Sequence, residues 1–234
     1  SVTLSPNYSD VDASDTHTFS VDTTGTLGAV TVNDDGTFSY DPNGQFEALS
    51  ADETATDSFQ YTVTDSSGAT STQTVTITIA GQNDGPIANS VTASTDEGSS
   101  VTLSPNYSDV DASDTHTFNV DTTGTLGSVV VNEDGTFSYD PNGQFEALSA
   151  DETATDSFQY TVTDSSGATS TQTVTITIAG QNDGPIANSV AASTDEGSSV
   201  TLSPNYSDVD ASDTHTFSVD TTGTLGAVTV NDDG

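Results

Sequence analysis

Between residues 85 and 183, apolar and aromatic side chains fall on alternate positions in seven short runs, with mostly Thr, Ser and Gln between them. The rows are Ile87, Asn89, Val91 and Ala93; Val101 and Leu103; His116, Phe118 and Val120; Val129 and Val131; Phe137 and Tyr139; Phe158, Tyr160 and Val162; and Val174, Ile176 and Ile178. A period of two places each row on one face of a strand, and the β-branched and aromatic content suits a pleated surface. Turn signals such as Glu133-Asp134-Gly135 and Asp164-Ser165-Ser166-Gly167 separate the runs. The pattern predicts an all-β chain of seven-stranded antiparallel sandwiches. Gln144-Phe145-Glu146-Ala147-Leu148 is the one predicted helical turn, with Phe145 and Leu148 spaced to plug the sandwich end.

The pattern recurs. Ser-Val-Thr-Leu-Ser-Pro begins at Ser1, Ser100 and Ser199, a period of 99 residues, which matches one small domain and exceeds a solenoid unit. Seven strands in about 100 residues is an immunoglobulin-like arrangement with Greek-key connections. The first two copies differ only at Ser20/Asn119, Ala29/Ser128, Thr31/Val130, Asp34/Glu133 and Thr92/Ala191. Four of these pairs have the outward parity of their strands and the fifth lies in a hairpin turn, so none touches the expected core. Gly81-Gln82-Asn83-Asp84-Gly85-Pro86, which returns at Gly180 to Pro185, reads as the linker. The expected domains are 1–84 (lacking its first strand), 85–183 (complete) and 184–234 (partial), a slice of a longer array.

Composition first opposes a fold. The chain has 36 Asp plus Glu and no Lys or Arg, a formal charge of −36. Leu, Ile, Val and Phe are only 45 of 234 residues, in the range of disordered chains. Alternation answers this by placing those few residues where a sandwich core needs them. The missing cations exclude nucleic-acid binding. The absence of Cys excludes disulfides and thiolate metal sites. No apolar run is long enough for a membrane-spanning helix, and Ser1-Val2-Thr3-Leu4 carries no positively charged signal-peptide start. A polyanion of this kind compacts when divalent cations neutralise it.

Candidate chemistry concentrates in Asp109-Val110-Asp111-Ala112-Ser113-Asp114. Three carboxylates in six residues fit either a hard cation taking oxygen ligands or a solvated acidic turn. The segment is not an EF-hand, which requires Gly where Asp114 stands. Asp52-Glu53, Asn83-Asp84, Asp96-Glu97 and Asp164 also fall at loop ends. His17, His116 and His215 have inward parity beside the acidic loops and read as hydrogen-bonded edge-of-core residues rather than ligands. The Asn106-Tyr107-Ser108 sequon reads as an ordinary turn, and the Thr and Ser rows as solvated outward faces.

Several of these segments resemble cadherin calcium motifs. Gln-Asn-Asp-Gly-Pro is similar to the Asp-x-Asn-Asp-x-Pro linker, Leu148-Ser149-Ala150-Asp151-Glu152 to the Leu-Asp-Arg-Glu segment, Asp109-Val110-Asp111 to Asp-x-Asp, and Thr163-Asp164 to Ala-x-Asp. The unit as a whole, above all Asp134 to Phe145 and Phe158 to Gly167, resembles the VCBS or bacterial cadherin-like extender repeats of RTX adhesins. The resemblance implies calcium between consecutive domains. At the first junction it implies Asp52, Glu53, Asn83 and Asp84 with Asp109, Asp111 and Asp164. At the second it implies Glu97, Asp151, Glu152, Asn182 and Asp183 with Asp208 and Asp210. Asp114 and Asp213 are added on spacing alone. The sequence departs from the cadherin pattern where Ala51 and Ala150 replace Arg and where Gln82 and Gln181 replace a ligating Asp.

The resemblance further implies an extracellular, type I secreted chain on a bacterial surface. It would serve as a calcium-stiffened spacer whose partners are the neighbouring repeats, with the adhesive target bound by other domains and no membrane insertion. An alternative makes the repeats themselves glycan- or partner-binding modules, and another a disordered acidic calcium buffer. Catalysis is disfavoured, because the same carboxylates recur at every junction without Lys, Arg or Cys to activate them.

Overall fold

The computed structural model describes residues 1–231, which form strands, turns and loops without an α-helix. The first repeat contains β1 (Val2–Leu4), β2 (Thr18–Asp22), β3 (Ala29–Val32), β4 (Phe38–Asp41), β5 (Thr54–Thr64) and β6 (Thr70–Ala80). They form two three-stranded sheets, β1-β4-β3 and β2-β5-β6. Phe38 and Tyr40 of one sheet pack on Phe59, Tyr61 and Ile77 of the other. Ring centroids of Phe38 lie 5.7 Å from Phe59 and 5.3 Å from Tyr61. This aromatic centre is how so few apolar residues close a core, because each aromatic ring buries far more area than an aliphatic side chain.

The second repeat contains β7 (Ile87–Asn89), β8 (Val91–Asp96), β9 (Val101–Leu103), β10 (Asn106–Ser108), β11 (Thr117–Asp121), β12 (Ser128–Val131), β13 (Phe137–Asp140), β14 (Thr153–Thr163) and β15 (Thr169–Ala179). Its sheets are β11-β14-β15-β8 and β12-β13-β9, with β7 on β10 apart. Phe137, Tyr139, Phe158, Tyr160, Val162, Val174, Ile176 and Ile178 are buried as the alternation requires. All ten residues that differ between copies are exposed.

Two expectations are corrected. The first predicted strand is not one inward row: Ile87 is 60% exposed and Ala88 is buried in its place. The strand breaks at Ser90, because its two halves pair with different strands. β7 lies on β10, while β8 runs parallel to β15 with Val174 opposite Val91. Changing partner costs one residue of register, and the Tyr160 hydroxyl holds the break. It accepts the Asn89 N–H at 3.2 Å and faces the carbonyls of Asn89 and Asn106. The second is the Asn106-Tyr107-Ser108 sequon: expected as a turn, it is strand β10, set apart from the predicted Val101-Leu103 row (β9) by Ser104-Pro105, where proline supplies no N–H to a ladder. The predicted helical turn is a single turn closed by the Leu148 N–H on the Phe145 carbonyl at 3.0 Å. Phe145 is nonetheless buried, as the plug requires.

Pairing decides burial for identical sequences. In β15, covered by β8, Val174, Ile176 and Ile178 are all fully buried, whereas Val75 and Ile79 in the unpaired-edge β6 are half-buried. Residues 184–231 form only β16 (Ile186–Asn188) on β17 (Asn205–Ser207), and 232–234 of the third expected repeat lie outside the described residues.

Each sandwich has a buried carboxylate, Asp57 or Asp156, which shares the inward parity of Phe59 or Phe158. Asp156 accepts bonds from the Tyr139 hydroxyl (2.8 Å) and the N–H groups of Leu126 (3.0 Å), Gly127 (2.8 Å) and Ser157 (2.8 Å). Gly127 is required there, since a Cβ would sit 2.6 Å from the Tyr139 ring. Burial would raise the Asp57 carboxyl, but its bonds from Gly28, Tyr40, Leu27 and Ser58 outweigh that and leave it below the ordinary value. Burial, then the bond to the carboxylate, pushes the Tyr40 and Tyr139 hydroxyls well up.

The chain divides into two compact units. One holds Ser1–Ala88, Tyr107–Thr117 and Val162–Ser170, and the other holds Asn89–Asn106, Phe118–Thr161 and everything from Thr171 onward. The acidic loop 109–114 lies in the first unit and the loop 208–213 in the second.

Candidate metal centres

In the first unit, the acidic loop 109–114 folds on its own side chains. Asp109 Oδ1 accepts the Asp111 N–H at 3.0 Å, and the Asp114 N–H donates to the Asp111 carbonyl at 3.2 Å. The linker reaches the loop through the Asp84 N–H, which donates to Asp111 Oδ2 at 2.7 Å. Asn83 Nδ2 donates to Asp164 Oδ2 at 2.9 Å. The Ser50 and Ser113 hydroxyls meet at 2.7 Å. Carboxylate oxygens of Asp109, Asp114 and Asp164 lie within 4.8 Å of one another, as do those of Asp10, Asp15 and Asp65.

Glu53 is half-buried, with Oε2 on the Ser50 N–H at 3.0 Å and its carbonyl on the Gly81 N–H at 2.9 Å, so it fixes the chain entering the linker. Asp52 is exposed at φ +69°, a position set by the turn. Of the eight residues expected at this junction, the structure ties Asn83, Asp84, Asp109, Asp111, Asp114 and Asp164 into one network. Glu53 supports the linker from behind, and Asp52 sits at the rim.

In the second unit, the Gln181 N–H donates to Glu97 Oε1 at 2.7 Å and the Asp183 N–H to Asp210 Oδ2 at 2.7 Å. Asp208 Oδ1 accepts the Asp210 N–H at 3.1 Å, and the Asp213 N–H lies 3.3 Å from the Asp210 carbonyl. Ser149 and Ser212 pair at 2.6 Å. Glu152 repeats the role of Glu53, with Oε2 on the Ser149 N–H. Asn182 and Asp151 are exposed, and Asp151 has φ +73°.

The decisive feature is what these groups lack. Asn83 Oδ1, Asp111 Oδ1 and Asp114 Oδ2 are buried without a hydrogen-bond partner in the protein, and so are Glu97 Oε2 and Asp210 Oδ1 in the other unit. Each buried orphan acceptor costs about 1–3 kcal/mol, and their concentration among the expected ligands fits a bound cation. Every donor atom is oxygen, which suits calcium and neither thiolate- nor imidazole-preferring metals. Asp96 Oδ1 is a further orphan beside Glu97. It was not among the expected ligands, and only its adjacency in sequence could have pointed to it.

Two carboxyls of these poles are shifted in opposite directions. Burial, together with the charges of Glu146, Asp183 and Asp210, pushes the Glu97 carboxyl above its ordinary value. The Asn83 amide, followed by N–H groups of the 164–168 turn, holds Asp164 below its own. As expected, the histidines are hydrogen-bonded: His17 to Asp10 at 2.9 Å, His116 to Asp109 at 2.8 Å and His215 to Asp208 at 2.7 Å. The His215 bond lowers Asp208.

Two tandem segments, residues 1–81 and 83–180, match the family of bacterial cadherin-like domains. The chain belongs to that family. Cadherin-like domains are extracellular, adhesion-related modules that are generally non-enzymatic and generally bind calcium. No helix among the described residues is long and apolar enough to cross a membrane. Human CDH23 EC21-23 shares the fold over 86% of this chain and 70% of its own, at 13% identity and a TM-score of 0.52. Protocadherin Gamma B7 extracellular cadherin domains 1-4 are similar at 20% identity and a TM-score of 0.42, over 84% of this cadherin-like chain and 50% of theirs. Drosophila N-cadherin EC1-4 is similar at 17% identity and a TM-score of 0.42, over 77% of this chain and 46% of its own. The chain thus spans about half the length of these last two. No curated protein matches it.

Proposed function

We propose that the chain is a calcium-stiffened spacer, the extender region of a large bacterial surface adhesin of the RTX type, in which domains 1–84, 85–183 and 184–234 follow one another. The observation that carries this reading is the set of partnerless buried oxygens at Asn83, Asp111, Asp114, Glu97 and Asp210. Bound calcium would supply the positive charge that those oxygens lack. Asn83, Asp84, Asp109, Asp111, Asp114 and Asp164 would hold it in one unit. Glu97, Asn182, Asp183, Asp208, Asp210 and Asp213 would hold it in the other, with Asp52 and Asp151 at the rims and Glu53 and Glu152 supporting the linkers from behind.

The protein's own contribution is to hold the linker amides of Asp84 and Asp183 on the acidic loops. A linker held at both ends resists bending that a free six-residue segment would allow. Strands of 11 residues such as β14 span about 36 Å, so each repeat adds reach of that order. Extracellular modules bind calcium with dissociation constants of about 0.1–1 mM, which favours an unfolded chain inside the cell, type I secretion and folding outside. The adhesive target would be bound by other domains at the tip, and the partners of each repeat would be its neighbours.

Chelation tests the reading. The thermal midpoint in 10 mM calcium should fall when the ion is removed and return when it is restored, with magnesium a poor substitute. Equal midpoints with and without calcium would rule the reading out.

A further inference from the structure

The same His–Asp–Tyr arrangement closes every acidic loop. His116 Nε2 lies 2.8 Å from Asp109 Oδ2, and its ring packs at 4.7 Å and 52° on Tyr107. His17 repeats this with Asp10 and Tyr8, and His215 with Asp208 and Tyr206, at ring distances of 4.8 Å in both. The side chains of His116 and Asp109 are only 10% and 4% exposed. An ionised carboxylate has no proton to give, so Nε2 carries the hydrogen and donates it. The bond spans seven residues and brackets both Asp111 and Asp114.

Asp109 is therefore held by both oxygens, Oδ1 by the Asp111 N–H and Oδ2 by His116. That matters because an oxygen of Asp109 shares a 4.8 Å cluster with oxygens of Asp114 and Asp164. Like charges at that distance would turn a free aspartate outward to solvent. Nothing in the protein offers a Lys or Arg to hold it in place.

We infer that His116, with His17 and His215 in the other copies, is a positioning residue for calcium: it keeps the Asp109 carboxylate turned into the ligand cluster without itself binding the ion. This rests on the calcium reading above. Outer-shell partners of metal-ligating groups govern affinity in this way, and their loss weakens binding by about 10–100-fold.

The test is calcium titration of the full chain by calorimetry, comparing wild type, His116→Phe and His116→Gln, with the unaltered His215 pole as internal reference. Phenylalanine keeps the packing on Tyr107 and removes the donor, whereas the glutamine amide can replace Nε2–H. The expected result for His116→Phe is about 10–100-fold weaker binding at the first pole, with an unchanged melting temperature in EDTA. His116→Gln should bind close to wild type. Wild-type affinity in His116→Phe would overturn the inference while leaving the spacer reading intact. So would a loss of stability in EDTA that parallels the loss of affinity, which would mark the histidine as merely structural. A wild-type chain that binds no calcium would overturn both.

Discussion

Replacing Asp111 with Asn should change the sign of its effect between calcium and EDTA. Asp111 is 2% exposed; Oδ2 accepts the Asp84 N–H, and Oδ1 is buried without a partner. Asparagine keeps an acceptor for Asp84 and removes the charge. In EDTA the wild-type chain bears a buried, unneutralised carboxylate, so Asp111→Asn should be neutral to stabilising by about 1 kcal/mol, the lower end of an unsatisfied group's cost. In 10 mM calcium, a site with a dissociation constant of about 0.1–1 mM contributes about 1.4–2.7 kcal/mol. Losing a charged ligand should remove most of that. At about 4–8 °C per kcal/mol for a domain of this size, the variant should melt several degrees below wild type in calcium and level with or above it in EDTA. Differential scanning calorimetry at both conditions decides the matter. Equal destabilisation in both would show that Asp111 acts through its hydrogen bond to the linker alone, and the metal argument would fail at its most buried residue.

The remaining predictions concern the groups around that site. Asp156→Ala should destabilise the second repeat by about 3 kcal/mol or more, because four donors on Leu126, Gly127, Tyr139 and Ser157 lose one acceptor. Urea unfolding checks this, and a loss below about 1 kcal/mol would mean that the donors find other partners. Glu97→Gln should stabilise the calcium-free chain at pH 7. The wild-type carboxyl is raised in the fold by burial, so its penalty is present at high pH and disappears as the pH falls through its folded value toward 4.5. Melting curves from pH 7 to 4 in EDTA should converge, and a pH-independent gap would contradict the assignment.

Much of the core was legible because a strand's period of two is a property of the chain itself. Val174, Ile176, Ile178, Phe137 and Tyr139 are buried where alternation puts them. The acidic loops were legible for a similar reason: carboxylates on near neighbours in sequence, such as Asp109 and Asp111, remain close whatever the fold does. Pairing was not legible, because it depends on partners far along the chain. Thr18–Asp22 is a strand because Gln60–Thr64 of β5, some forty residues further along, lies opposite it. The partner switch at Ser90 and the grip of Tyr160 on Asn89 are of the same kind. Asp156 is the instructive case. Its inward parity was in the pattern, but an acid on a core face looks like an exception until the four donors around it are known.

The central claim is that calcium stiffens the junctions, and small-angle scattering of the chain with and without calcium measures that directly. With calcium, the account predicts an extended particle with a well-defined maximum dimension. After chelation the distribution should broaden and shift to shorter distances as the linkers bend. Superimposable profiles in calcium and EDTA would contradict it.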